Sequence, residues 1–150
     1  MAWRGTLLAA SGDAKTVKGE KRGYLTAIMY LAPNTIATRK TLCSHASPAC
    51  IAACLYTAGR GAFNSVQEAR IRKSKLFEQD RAVFMTALCQ DVDKFQAYAI
   101  KRDMIPCVRL NGTSDIMWER IRVLEARNIM ALFPGLQFYD YTKVDRKSVV

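Results

Sequence analysis

No address segment is visible in this sequence. After Met1-Ala2-Trp3-Arg4, the apolar run Leu7-Leu8-Ala9-Ala10 meets Ser11-Gly12-Asp13, which is too short for the apolar region of a signal peptide. Long hydrophobic runs are missing as well. The most apolar stretch, Tyr24 to Ala32, is far below membrane-spanning length. These absences predict a soluble cytoplasmic protein with no membrane partner. In that setting Asn111-Gly112-Thr113 has no meaning as a glycosylation sequon.

Common nucleotide-binding and hydrolase signatures are also lacking. There is no Walker A sequence, no H-E-x-x-H and no G-x-S-x-G. Gly59-x-Gly61 lacks a third glycine and does not open from a strand, so it is no dinucleotide fingerprint. Neither an internal repeat nor a linker is found. Acidic residues are scarce: 13 Asp+Glu face 23 Lys+Arg, a net charge of +10. That excludes an acidic tail or a neutral secreted enzyme and points to a polyanion: nucleic acid, nucleotide phosphates or an anionic surface.

The 150 residues are 50% hydrophobic and 24% charged, the composition of one globular domain able to bury a core without staples. The stretch up to Gly23 is basic and glycine-spaced and reads as a partly mobile arm or a loose first element. Tyr24 to Leu31 reads as a strand buried on both faces, closed by Pro33-Asn34. Ser47-Pro48 opens a helix running to about Tyr56. Ser65-Val66-Gln67-Glu68 fits a capping box before a basic helix. Phe84, Leu88, Val92, Phe95 and Ala99 mark one face of the next helix.

Pro106 to Leu110 predicts a second strand, Ile116 to Phe133 a helix burying Met117, Ile121, Leu124 and Leu132, and Leu136 to Tyr141 a third strand. This order predicts an α/β fold. Its form is a partial, barrel-like parallel sheet of βα units with a long helical crossover after the first strand. The third strand has too little chain after it for a covering helix. The expectation is a partner chain over that strand, or an N-terminal portion of a longer (β/α) domain.

In parallel sheets functional groups gather at the C-terminal strand ends. Three polar segments fall there. The first holds Cys43, Cys50 and Cys54. On a continuous helix Cys50 and Cys54 stand one turn apart, and Cys43 arrives from the preceding loop. Three such thiolates suit an iron–sulfur cluster or zinc, and His45, the only histidine, would complete a closed Cys3His zinc site. The plainer reading keeps Cys50 and Cys54 as small core residues. Five cysteines, an odd number, are not expected to form disulfides in a reducing compartment, and Cys89 and Cys107 are assigned no role.

The second segment is a candidate cofactor or substrate site. Arg109, Asn111, Gly112, Thr113 and Ser114 would bind, and Asp115 would serve chemistry. A well-capped turn is the alternative. If Arg109 faces inward it needs an anionic partner, Asp140 or a ligand. The third segment supplies Asp140 and Lys143 as candidate acid–base groups. Arg60, Arg70, Arg72 and Lys73 are a candidate nucleic-acid stripe, or else a solvated helix face.

Three ordered motifs carry a resemblance. They are Cys43-x3-Ser47-Pro48-x-Cys50-x3-Cys54-Leu55-Tyr56-x2-Gly59-Arg60-Gly61, then Arg109-Leu110-Asn111-Gly112-Thr113-Ser114-Asp115-Ile116-x-Trp118-Glu119, then Phe138-Tyr139-Asp140-Tyr141-Thr142-Lys143. Together they resemble the phage gene product 88 family, proteins of bacteriophages and prophages without an assigned activity. The resemblance spans Gly23 to Lys143, and Val144 to Val150 departs from the continuation expected of the family. It implies a protein of the cytoplasm of an infected or lysogenic bacterium.

In architecture the chain is also similar, more distantly, to radical S-adenosylmethionine enzymes. Those carry three cluster cysteines after the first strand, though spaced C-x3-C-x2-C where this chain has C-x6-C-x3-C. That likeness favours a cluster over zinc and leaves S-adenosylmethionine as an open alternative only. Three functions remain in view, the first two being a metal- or iron–sulfur-dependent enzyme acting on a nucleotide or nucleic acid, and a non-catalytic nucleic-acid-binding accessory protein with structural cysteines. A structural phage protein is the third.

Overall fold

A computed structural model describes residues 3–10, 14–123, 125 and 127–143. Four strands, β1 (Leu8–Ala9), β2 (Tyr24–Met29), β3 (Ile105–Arg109) and β4 (Gln137–Phe138), form one sheet in that order. The helices are α1 (Ala14–Glu20), α2 (Pro48–Ala52), α3 (Asn64–Gln79), α4 (Arg81–Lys101) and α5 (Ile129–Leu132). Strands β2, β3 and β4 run parallel, and β1 joins β2 antiparallel with Leu8 opposite Met29. The fold is mixed α/β with a helical crossover between β2 and β3. The sheet is open and does not close into a barrel.

The core forms where alternate strand residues meet one helix stripe. Leu25, Ala27 and Met29 of β2 and Val108 of β3 pack against Phe84, Leu88, Val92, Phe95 and Ala99 of α4. Phe77 of α3 and Trp118 close the cluster, with ring centroids 5.1 Å (Phe77–Phe84) and 5.4 Å (Phe77–Trp118) apart. Burying a ring such as Phe84 contributes about 2–3 kcal/mol. Between the two long helices Asp80 accepts the Val83 N–H at 3.1 Å and caps α4. Among the described residues no helix is long and apolar enough to cross a membrane.

Five local expectations differ from the structure. The segment before Gly23 is not a loose arm: Leu7 is fully buried, β1 pairs with β2, and α1 packs on β2. Asp91 of α4 explains this, since its Oδ2 accepts the Leu7 N–H at 2.5 Å and the Leu8 N–H at 3.3 Å. Helix α2 stops at Ala52 rather than near Tyr56, because Cys54 is extended (φ −61°, ψ 133°). The Ser65–Glu68 capping box does not form, since α3 starts at Asn64 with its N-cap at Phe63, two residues before Ser65, and no side-chain cap. The strand expected over Leu136 to Tyr141 is the two-residue β4, Gln137–Phe138.

The fifth difference is the largest. Among the described residues from Ile116 to Leu132, Trp118–Arg120 form a 3₁₀ turn and only Ile129–Leu132 are α-helical. The Asn111 side chain takes both main-chain groups of Ile116: its Oδ1 accepts the N–H and its Nδ2 donates to the carbonyl, each at 3.0 Å. Those bonds compete with helix formation despite the helical spacing of apolar residues. Leu124 lies outside the described residues.

Candidate functional site

The parallel strands end on one edge, and the three polar segments meet there. Gly112 N–H donates to Met29 O at 3.0 Å, Asp115 N–H to Leu42 O at 2.9 Å and Asn111 N–H to Asp140 Oδ2 at 3.0 Å. The Thr113 hydroxyl donates to Leu31 O. From β4, Thr142 Oγ1 and the Lys143 N–H reach the Asp115 carboxylate at 2.5 and 2.9 Å. The rim is thus stitched from the ends of β2, β3 and β4.

Most of its polar groups are engaged inside the protein. Asn111 Oδ1 also accepts from Ser114 Oγ at 3.0 Å and from Trp118 Nε1 at 2.9 Å. Asn111 and Ser114 are 3% and 8% exposed. Gly112 is held by contact: a Cβ there would lie 2.6 Å from Tyr30 Cδ1. The 109–115 segment therefore acts as a bracket between loops, and Asp115 is turned to Thr142 and Lys143.

Arg109 and Asp140 form the charged centre of the rim. Arg109 Nε stands 3.5 Å from Asp140 Oδ1, and its guanidinium lies 5.2 Å from the Tyr141 ring centroid. Burial pushes the Asp140 carboxyl above its ordinary range, while the Asn111 N–H and the Arg109 charge pull it back down. Lys143 is exposed.

The cysteines do not assemble as a three-ligand set. Because α2 ends at Ala52, Cys54 is off the helix, and Cys50 and Cys54 are not one turn apart on a shared face. Among the described residues no three His, Cys, Asp or Glu side chains are grouped to hold a metal ion. Cys43 and Cys54 are near enough to interact by charge, and burial, the larger effect, raises the Cys43 thiol. The Cys43 thiol points toward Thr113 O at 3.9 Å. His45 is paired to Ser44, Nδ1 to Oγ at 2.9 Å. These donors do not fit an iron–sulfur cluster or a Cys3His zinc.

The four candidate nucleic-acid residues are split. Arg60 and Arg72 face solvent. Lys73 Nζ donates to Leu7 O at 3.3 Å. Arg70 is 8% exposed, donates to Tyr56 O at 2.8 Å, and lies over the Tyr30 and Tyr56 rings. Burial lowers the Arg70 pKa. Sequence reasoning missed the inward turn, although Arg70, Ser74 and Phe77 keep helical spacing on one face, and all three are buried. It also missed a cleft of about 270 Å³ beside the rim, lined among others by Ser44, Glu78, Arg81, Asp115 and Arg120.

The family model described as Gene product 88 matches residues 6–150. The match runs through Val144 to Val150, which corrects the expected departure after Lys143. No curated protein and no solved structure matches the chain, and the likeness to radical S-adenosylmethionine enzymes finds no support there. With nearly its whole length covered, the chain belongs to the phage gene product 88 family.

Proposed function

We propose that this protein binds nucleic acid as a non-catalytic accessory factor, with its cysteines in structural roles, in the cytoplasm of a phage-bearing bacterium. One observation supports the reading: acidic residues are outnumbered and several are engaged by the protein's own backbone and hydroxyls, while cations such as Arg60 and Arg72 stay exposed. Asp80, Asp91 and Asp115 accept from main-chain N–H groups of Val83, Leu7 and Lys143. Ion pairing takes up Lys40 with Glu78 at 3.6 Å and Arg109 with Asp140. With 23 Lys+Arg in the chain, that leaves a surface whose positive charge is weakly compensated. Such a surface attracts a polyanion and releases its counterions on binding.

The enzyme reading, a cluster- or metal-dependent reaction on a nucleotide, has less support. Its three cysteines lack a common site, and Asn111, Ser114 and Asp115 are occupied within the fold. Fluorescence anisotropy of labelled single- and double-stranded oligonucleotides tests the proposal. Affinity should fall steeply and linearly in log–log form as salt rises. No affinity at about 50 mM salt for either strand form would sink it.

A further inference from the structure

The cleft beside the rim has three walls that the fold ties to one another. The Asp115 N–H donates to Leu42 O at 2.9 Å, joining the loop after β3 to the loop after β2. The Phe77 and Trp118 ring centroids are 5.4 Å apart, joining the end of α3 to the loop after β3. The cleft thus lies beyond the C-terminal ends of two adjacent parallel strands, where open α/β sheets hold their ligands. At about 270 Å³ it has room for one compact ligand and not for a polymer, since small-molecule sites run to about 300–1,000 Å³.

Its charges are unequally engaged. Glu78 is ion-paired to Lys40 at 3.6 Å, and the Asp115 carboxylate accepts from Thr142 Oγ1 and the Lys143 N–H. Among the described residues Arg81 and Arg120, which also line the cleft, have no ion pair. Arg81 is nonetheless held in one orientation. Its Nε donates to Phe77 O at 2.8 Å, and its guanidinium lies 3.6 Å from the Phe77 ring centroid. Burial lowers the Arg81 pKa, and the nearby Glu78 charge raises it part of the way back. A planar guanidinium fixed by packing, with its remaining N–H donors unspent, suits an anion that accepts two parallel hydrogen bonds. Beside these charges Leu42, Ile116, Met117 and Ile121 offer an apolar surface.

We infer that this cleft binds one nucleotide bearing a terminal phosphate monoester, with Arg81 and Arg120 on the phosphate and the base against Leu42, Met117 and Ile121. Two arginines without an ion pair match the charge of about −1.5 to −2 that a phosphate monoester carries at neutral pH. The apolar surface suits a base better than a bare sugar. The choice of a nucleotide among phosphate esters rests on the nucleic-acid reading above, whereas the contact between arginine and phosphate does not. The same phosphate chemistry belongs to a free mononucleotide and to the 5′-phosphorylated end of a strand.

Titration calorimetry on the full chain tests this with adenosine 5′-monophosphate, adenosine and ribose 5-phosphate. Anisotropy compares 3′-labelled oligothymidylate ending in a 5′-phosphate with the same strand ending in a 5′-hydroxyl. The variants are Arg81→Gln, Arg120→Gln and a charge-matched control, Lys101→Gln, at the other end of α4 and about 30 Å from Arg81. Each is checked for an unchanged melting temperature. Either arginine variant should weaken binding of the phosphate-bearing ligand by about ten- to a hundredfold, and Lys101→Gln should stay within about threefold of wild type. Adenosine and ribose 5-phosphate should each bind about tenfold more weakly than the nucleotide. Nucleotide binding that both arginine variants lose supports the cleft with a free nucleotide as its ligand. A preference for the 5′-phosphorylated strand that both variants abolish, without nucleotide binding, supports it with a strand end. If both strands bind equally and the nucleotide does not bind at about 1 mM, the cleft is wrong and the nucleic-acid reading stands. If the nucleotide binds through the arginines and neither strand binds at low salt, the cleft stands and that reading falls. If no ligand binds, both fall. Nucleotide binding that survives Arg81→Gln and Arg120→Gln overturns the cleft, and ribose 5-phosphate binding as tightly as the nucleotide overturns the place given to the base.

Discussion

Asn111 Oδ1 accepts the indole N–H of Trp118 at 2.9 Å, joining two side chains that are 3% and 2% exposed. The same oxygen serves Ser114 Oγ and the Ile116 N–H. Asn111→Ala would strand three donors, two of them on nearly buried side chains, and each stranded buried group costs about 1–3 kcal/mol. The expected loss in urea unfolding is about 3–5 kcal/mol, accompanied by a shift in tryptophan emission. A loss under about 1 kcal/mol would show that the bracket does not hold Trp118 in place.

Gly112 and Gly135 make a paired test of close packing. A Cβ on Gly112 would meet Tyr30 Cδ1 at 2.6 Å and Met29 O at 2.7 Å, whereas one on Gly135 meets nothing within 4 Å. Backbone cannot yield as a flexible side chain does, so Gly112→Ala should cost about 1–3 kcal/mol or more. Gly135→Ala should stay within about 0.5 kcal/mol. Equal melting temperatures for the two variants would contradict the contact.

The sequence was readable wherever local pattern and tertiary context agree. The Phe84-to-Ala99 stripe, the apolar run of β2, the crossover and the meeting of three strand ends all follow from periodicity and element order. Reading failed where a side chain overrides the pattern. Ile116 to Phe133 has helical spacing, yet Asn111 claims the backbone of Ile116. The basic stretch before Gly23 looks loose, yet Asp91, more than 80 residues later, clamps Leu7 and Leu8. Arg70 reads as one more surface cation, but two tyrosine faces take it inward. Such long-range bonds leave no mark in a local window.

The cysteine geometry sets a further expectation. Among the described residues Cys43, Cys50 and Cys54 are not grouped as a common ligand set, so the fold is expected to stand without a metal shared by all three. Each Cys→Ser variant should retain stability within about 1 kcal/mol of wild type, and a chelator should leave the melting temperature unchanged. Ser47 Oγ accepts the main-chain N–H of Cys50 at 3.2 Å, a bond that Cys50→Ser keeps. Matching losses of metal and of stability in all three variants would restore the three-ligand site.

Asp140 gives the pH dependence. Burial raises its carboxyl above 3.8 more strongly than the Asn111 N–H and Arg109 lower it. The folded protein therefore holds this proton more tightly than the unfolded chain does. The resulting stabilisation is present below the unfolded value and is lost as pH rises through the folded one. Asp140→Asn keeps an acceptor for the Asn111 N–H and gives up a 3.5 Å contact between side chains that are 19% and 16% exposed. Wild-type stability relative to this variant should thus decline as pH climbs from about 3.8, and level off once pH has passed the raised folded value. Urea titrations across that range measure the difference directly. A difference that grows with pH instead would mean that the Arg109 charge outweighs burial at this carboxylate.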